Sequence, residues 1–102
     1  MSNQEIAIST VSKVTGVAVS AILSRRRMYP EVEARQLIVL LLHRDGATDQ
    51  FISLVLKRKR CAILKSRHNA LDALRYSKSF RAKFDKASAI YEQQKSLRIS
   101  QD

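Results

Sequence analysis

Residues 48 to 69 read TDQFISLVLKRKRCAILKSRHN, a pattern that predicts two short helices joined by a cationic turn. Asp49 to Leu56 has the length and apolar content of a short helix, and Thr48 can cap its N-terminus. The second helix is predicted to begin near Arg60, and its apolar stripe comprises Ile63, Leu64, Ala70 and Leu71. Two short helices with a tight turn form a helix-turn-helix, whose second helix normally enters the major groove of DNA.

Four consecutive cations, Lys57-Arg58-Lys59-Arg60, occupy the junction between these two helices. Cations at this junction would lie against phosphates if the second helix occupied a groove of duplex DNA. The same run would also suit a solvated turn between two core helices. The pattern alone leaves both interpretations open.

The composition indicates one small domain with a polyanionic partner. The chain has 102 residues, with 19 Lys and Arg against nine Asp and Glu, which gives a net charge of +10. That charge suits nucleic acid first and an anionic membrane surface second. A hydrophobic content of 45% argues against a disordered basic tail. The longest strongly apolar run, residues 37–42, is too short to span a bilayer, and no signal peptide opens the chain, so we expect a cytoplasmic protein.

The N-terminal third of the chain is predicted to be mostly helical. Asn3 to Thr15 has apolar residues at helical spacing, and Gly16 is a plausible stop. Residues 17–23 are predicted to form a short helix, with Ser20 as its cap, or a helix-entry loop. We do not predict a strand here, because the sequence offers no second strand to pair with it.

A long central helix and a final helix complete the predicted fold. Pro30 is assigned to the first position of the central helix, which ends at Asp45-Gly46 and turns Ala34, Leu37, Ile38 and Leu41 inward. The final helix opens at Ser77 or Ser79, and its inward residues are Phe80, Phe84, Ala87 and Tyr91. We therefore predict an all-α bundle of five or six helices over residues 1–92, with a polar tail at 93–102 that frays.

No motif for catalysis, or for a bound metal or nucleotide, is found in the sequence. The two glycines, Gly16 and Gly46, lie too far apart to build a phosphate-binding loop. A single cysteine, Cys61, cannot build a zinc site with only His43 and His68. We therefore expect no enzymatic activity and no cofactor.

A second basic cluster, Arg25-Arg26-Arg27, follows Ser24 in a predicted loop. These arginines have no acidic neighbour in the sequence before Glu31. A solvated loop would explain them, and so would a contact with phosphates or with the minor groove of DNA.

Three blocks of sequence carry a resemblance to a known family. The first, from Thr10 to Arg27, combines the end of a helix with the basic loop. The second, Ala34-Arg35-Gln36, stands at the head of the apolar central helix. The third is the helix-turn-helix, where Lys57 to Ile63 reads KRKRCAI. In this order and spacing, over roughly Thr10 to Ala87, they resemble the C-terminal DNA-binding domain of the bacterial replication initiator DnaA.

The resemblance implies a Trp-repressor-like helix-turn-helix fold that binds double-stranded DNA sequence-selectively, with a role in replication control or transcription regulation. It implies that Arg25, Arg26 and Arg27 reach the minor groove or the backbone. Backbone phosphates are assigned to Arg35 and Gln36, and the helix-turn-helix adds Thr48, Lys57, Arg58 and Lys59. The predicted recognition helix offers Arg60, Cys61 and Ala62 to the bases, with Lys65 and Arg67 as further candidates.

The chain departs from the family at the positions that read bases. The family's usual Asp-His-Thr-Thr is replaced by Lys59-Arg60-Cys61-Ala62, which loses an acid and gains two cations. Arginine can read guanine through two hydrogen bonds, whereas Ala and Cys offer little beyond contact with a thymine methyl group. We therefore expect a cognate sequence different from the family's box. The family's ATPase domain is missing, so we expect a free-standing reader on the nucleoid of a bacterial or phage-infected cell.

Two other classes of function remain open at this stage. One is nonspecific binding of nucleic acid by charge alone, although RNA readers usually stack bases on exposed aromatic side chains. The other is a protein-interaction module that uses the Phe80 to Tyr91 helix as its docking face. An exposed stripe at Phe80 and Phe84 would favour this second alternative.

Overall fold

Six α-helices account for most of residues 2–101, the part of the chain described by the computed structural model, whose side chains are described for residues 2–98. They are α1 Asn3–Thr15, α2 Val19–Ile22, α3 Tyr29–Arg44, α4 Asp49–Leu56, α5 Arg60–Tyr76 and α6 Lys78–Gln101. The described range contains no strand. The prediction of an all-α bundle is confirmed.

The N-terminal helices begin and end at recognisable capping residues. The Ser2 hydroxyl accepts a hydrogen bond from the Glu5 amide, and the Glu5 carboxylate accepts one from the Ser2 amide, so both ends of a capping box are present. Gly16 ends α1 in the left-handed conformation at φ 76°, as predicted. The short helix α2 has Ala18 at its N-cap, so the prediction that Ser20 caps it is wrong.

Helix α3 is the centre of the bundle and packs against each of the other five helices. Leu37 and Ile38 are fully buried, and Leu41 is 1% exposed. This confirms the predicted inward face. The helix begins at Tyr29 with Met28 as N-cap residue, so Pro30 occupies its second position instead of the first. Proline is tolerated there because the first amides of a helix have no intrahelical partner.

Helix α6 buries the residues that the sequence pattern selected. Phe80 and Phe84 are 2% and 7% exposed, while Ala87 and Tyr91 are almost completely buried. The helix opens after Ser77, whose hydroxyl accepts a hydrogen bond from the Phe80 amide at 3.2 Å. Phe80 and Phe84 belong to the core and form no exposed stripe. The exposed stripe that would have favoured a docking face on this helix is therefore not found.

The segment that the sequence assigns to a polar tail continues helix α6, and its fraying stays a prediction. Helix α6 continues to Gln101, while Asp102 lies outside the described range. Lys95 donates to the Asp45 carboxylate at 2.9 Å, and the Tyr91 hydroxyl donates to the same carboxylate. Burial raises the pKa of Asp45, but these two hydrogen bonds, together with the charges of Lys95 and Arg44, hold the pKa below its usual value. Ion pairing therefore anchors a helical segment that has no strong apolar stripe.

The helices were also compared with the requirements of a membrane span. Within the described part of the chain, none combines the length and the apolar content needed to cross a bilayer.

Candidate nucleic-acid interface

The connection between α4 and α5 is a turn of three residues, Lys57 to Lys59. Lys57 adopts the left-handed conformation with φ 56° and ψ 44°, and its amide donates to the Ser53 carbonyl. Glycine usually occupies such a helix C-terminus, because other residues pay a steric cost at positive φ. Lys59 is extended and its carbonyl accepts from the Ile63 amide at 3.1 Å, which starts α5. The predicted helix bounds in this motif are confirmed.

Thr48 caps α4, as predicted. Its hydroxyl accepts a hydrogen bond from the Phe51 amide at 3.1 Å. The residue is exposed, so its capping role leaves it at the surface. Its predicted contact with a DNA phosphate stays a prediction.

Arg67 fastens α5 to the first turn of α4. Its Nε donates to Asp49 Oδ1 at 3.2 Å, and its Nη2 donates to Oδ2 at 3.0 Å. Both side chains are less than one fifth exposed. The hydrogen bonds from Arg67 lower the pKa of Asp49, since they stabilise the ionised carboxylate. This bidentate ion pair sets the relative position of the two helices, and the predicted contact of Arg67 with bases stays a prediction.

Arg35 holds the basic loop in place from the interior side of the protein. The residue is 7% exposed. Its Nε donates to the Ile22 carbonyl at 2.8 Å, and its Nη1 donates to the Arg26 carbonyl at 2.6 Å. Its Nη2 donates to the carbonyls of Ser24 at 2.8 Å and Ala21 at 3.2 Å. Each of its three guanidinium nitrogens is thus bonded to the protein backbone, and the predicted phosphate contact by Arg35 stays a prediction.

Arg58 connects the same loop to the turn of the helix-turn-helix. Its Nη2 donates to the Ser24 carbonyl at 2.7 Å and lies 3.4 Å from the Arg26 carbonyl. Burial, followed by the charge of Arg58, lowers the pKa of the Arg35 guanidinium. Two cations are thus brought together under one loop, and backbone carbonyls that accept from both offset their repulsion. Arg58 is half-buried, because its side chain lies against the loop and does not project into solvent.

The two basic clusters therefore form one surface. The exposed cations of the loop are next to those of the turn because Arg58 bonds the two segments together. We call this surface the basic face; it comprises Arg25, Arg26, Arg27, Lys57, Lys59 and Arg60, all of them exposed. Among these described side chains, Arg26 forms an ion pair: its Nη1 lies 4.0 Å from Oε1 of the buried Glu31. The other five cations of the basic face form no ion pair among the described residues, although the charge of Arg60 contributes to the lowered pKa of Asp49. Most of the charge of this surface is therefore available to an anion.

An open groove of about 390 Å³ runs beside the basic face, between α3 and α5. Arg27 and Gln36 line one side of this groove, and the recognition-helix candidates Ala62 and Lys65 line the other. Gln36 is half-buried, whereas Ala62 and Lys65 are exposed. Cys61 is exposed on α5 but does not line the groove. The structure therefore brings the loop, the head of α3 and one side of α5 together.

Two polar residues on this side of α5 were missed from the sequence. Ser66 and Asn69 line the groove with Ala62 and Lys65, and Asn69 is exposed. Lys65, Ser66 and Asn69 follow Ala62 by three, four and seven residues, which is the spacing of one helix face. The signal was available once the start of α5 was fixed, because this spacing could then be counted from the sequence.

Neither a metal centre nor a known relative bears on this surface. Within the described residues, no group of three or more His, Cys, Asp or Glu side chains could hold a metal ion. No protein-family model matches the chain, and no curated protein is significantly similar to it. The resemblance to the initiator's DNA-binding domain therefore stays a prediction.

Proposed function

We propose that this protein binds double-stranded DNA sequence-selectively, with α5 in the major groove and the Arg25–Arg27 loop at the adjacent minor groove or backbone. One observation carries the proposal: Arg58 bonds the loop to the turn of the helix-turn-helix, so that both basic clusters belong to one surface beside the exposed side of α5. A major groove about 12 Å wide admits an α-helix, and the phosphates at its edge would meet the cations of the turn.

Direct base reading is assigned to the N-terminal end of α5, at Arg60, and to the side of the helix that carries Ala62, Lys65 and Asn69. Arg60 stands at the first position of this helix, and the N-terminal end of a recognition helix is the end that contacts base edges. Lys65 can donate to guanine, and the Asn69 side chain can both donate to and accept from adenine. Cys61 and Ala62 offer apolar contact to a thymine methyl group. This set favours a cognate site that contains guanine opposite Arg60.

The proposal extends to the biological role that the sequence resemblance implies. A DNA reader of this type would act in replication control or transcription regulation, in the cytoplasm and on the nucleoid of a bacterial or phage-infected cell. The alternative is nonspecific binding by charge alone, which the net charge of +10 supports equally well. The two functions differ in their response to base changes, because phosphates carry no direct sequence information.

The salt dependence of duplex binding tests the electrostatic part of the proposal. We expect log affinity against log salt concentration to fall with a slope of about −4 to −5, since about five phosphates are engaged and each contributes about −0.9. Replacing Lys59 by Ala should flatten the slope by about one unit. Fluorescence anisotropy with a labelled duplex at several salt concentrations measures both values.

Lys86 provides a matched control for this measurement. It is an exposed cation on α6, a helix that contributes no residue to the basic face. Lys86→Ala removes the same charge as Lys59→Ala, so it should leave the slope unchanged. A slope near zero for the unmodified chain, or equal effects of the two substitutions, would contradict the assignment of the basic face to phosphates.

Arg60→Lys separates base reading from phosphate binding. A planar guanidinium donates two hydrogen bonds to O6 and N7 of one guanine, and lysine cannot reproduce that geometry. We expect the variant to lose about 1–3 kcal/mol on the preferred site and to relax the preference at one base pair. Its salt slope should stay the same because the charge is kept. Binding to the site and to each of its single-base changes measures this effect.

Arg27→Lys is the comparison for Arg60→Lys, because it makes the same chemical change in the loop. It should weaken sites with a narrow A·T-rich minor groove most, since the strong negative potential of that groove favours an inserted arginine. Uniform weakening of every sequence by Arg60→Lys would identify Arg60 as a phosphate contact. Base reading would then have to come from Lys65 or Asn69.

A further inference from the structure

The residue that follows the three arginines of the loop is an exposed methionine. Met28 is 65% exposed, and it is the N-cap residue of α3 with an extended backbone at φ −71° and ψ 153°. Methionine is usually found inside proteins, since its side chain has no strongly polar atom. The loop cluster of three arginines is thus followed by an apolar side chain directed at solvent.

The backbone that carries Met28 is fixed on both sides. The carbonyl of Arg26, two residues before it, accepts from Arg35 and lies near Arg58. The carbonyl of Met28 itself accepts from the Val32 amide at 3.0 Å in the first turn of α3. A side chain on an anchored backbone can be pressed into a ligand without first ordering the loop, which lowers the entropic cost of the contact.

Tyr29, the next residue, is exposed too, but its polar end is held by the protein. Its hydroxyl donates to Glu33 Oε2 at 2.7 Å, and Lys83 donates to the other oxygen of that carboxylate at 2.7 Å. The hydrogen bond to Glu33 raises the pKa of Tyr29. Met28 has no such tie, and its unbranched side chain adapts readily to a narrow space. The Met28 side chain is therefore the one of this pair that can extend from the protein into a ligand.

We propose that Met28 inserts between two base pairs from the minor-groove side and kinks the bound duplex. This inference rests on the proposed function and assigns it a second activity, the bending of DNA. Proteins that bend DNA from the minor groove place an apolar wedge between base steps and hold the flanking backbone with cations. Here Arg25, Arg26 and Arg27 supply the cations, and Met28 supplies the wedge.

The charge around Met28 selects DNA as the occupant of this surface. An apolar tip preceded directly by three arginines suits a narrow groove with anionic walls. Unstacking a base step costs free energy, and pyrimidine–purine steps such as TA and CA unstack most easily. We therefore place the kink at such a step, beside the bases that α5 contacts.

The test measures bending and binding separately on the full chain. A duplex of about 30 base pairs, selected from a random pool by the unmodified protein, carries a donor and an acceptor dye at its ends. Energy transfer at saturating protein gives the bend, which we expect to lie within the range of about 20–90° typical of apolar wedges. A fluorescent base analogue at the predicted step should brighten on binding, because unstacking relieves its quenching.

Three variants make the outcome specific to Met28. Met28→Ala should lose most of the bend and of the brightening in the saturated complex, whereas Met28→Leu should keep both. Leu97→Ala removes an exposed apolar side chain on α6 and should behave like the unmodified chain. Circular dichroism of each variant establishes that it is folded.

The two proposals fail in different ways. A bound duplex that stays straight, or one that Met28→Ala bends as strongly as the unmodified chain, would overturn the wedge and leave DNA binding intact. Failure of the unmodified chain to bind any duplex would overturn the proposed function and the wedge with it. Loss of bending in Met28→Ala, together with its retention in Met28→Leu, is the result that the structure predicts.

Discussion

Replacing Arg35 by Met is expected to destabilise the protein by about 2–4 kcal/mol, because backbone carbonyls lose charged donors that water replaces only in part. Four carbonyls between Ala21 and Arg26 accept from this one guanidinium. The same substitution should free the basic loop and remove it from DNA binding. The salt slope should then become less negative by about two to three units, since up to three arginines no longer engage phosphates.

Arg35→Lys is the control for this prediction. It keeps the positive charge but lacks the planar fork that reaches several carbonyls at once, so its effect on stability should be intermediate. Urea unfolding gives the free energy of unfolding, and fluorescence anisotropy gives the salt slope. If Arg35→Met were as stable as the unmodified chain and kept its salt slope, Arg35 would not be the residue that positions the loop.

Leu41→Ala is expected to cost about 2–5 kcal/mol of stability, the range for truncating a large buried side chain. Leu41 is 1% exposed on α3, the helix that packs against all the others. The loss combines the transfer free energy of the removed methyl groups with the cost of the cavity that remains. It would be a large part of the total stability of a domain of this size.

Leu54→Ala is the matched comparison on the surface. Leu54 is 71% exposed on α4, so the same truncation there should change the free energy of unfolding by about 0.5 kcal/mol or less. Chemical denaturation of both variants under the same conditions measures the difference. Equal effects of the two substitutions would contradict the position of α3 at the centre of the bundle.

Much of the fold could be predicted from local sequence. The bounds of α1 and α4, the start of α5 and the buried stripe of α6 follow from apolar spacing and from caps such as Thr48. These signals depend on neighbours within one or two turns of the chain. The continuation of α6 beyond Tyr91 has no such local signal, since the contact seen there joins Lys95 to a distant carboxylate, Asp45.

The roles of the individual arginines could not be predicted in the same way. A run of sequence gives their charge but not the groups that surround them after folding. Arg67 meets Asp49, and Arg35 and Arg58 meet loop carbonyls, through contacts that join residues 9 to 34 positions apart. These three side chains are predicted to contact DNA, and the structure shows that each also holds part of the surface together. The exposed candidates for that contact on the basic face are Arg25, Arg26, Arg27, Lys57, Lys59 and Arg60.

Competition between a selected site and unrelated duplex at moderate salt tests the central claim most directly. The site is obtained by selecting bound sequences from a random duplex pool, and labelled site is then displaced by unlabelled competitor of either kind. We predict that the selected site competes about 10³-fold better than unrelated duplex, the lower end of the range for specific DNA binding. Equal competition by the two duplexes would contradict sequence-selective reading by α5.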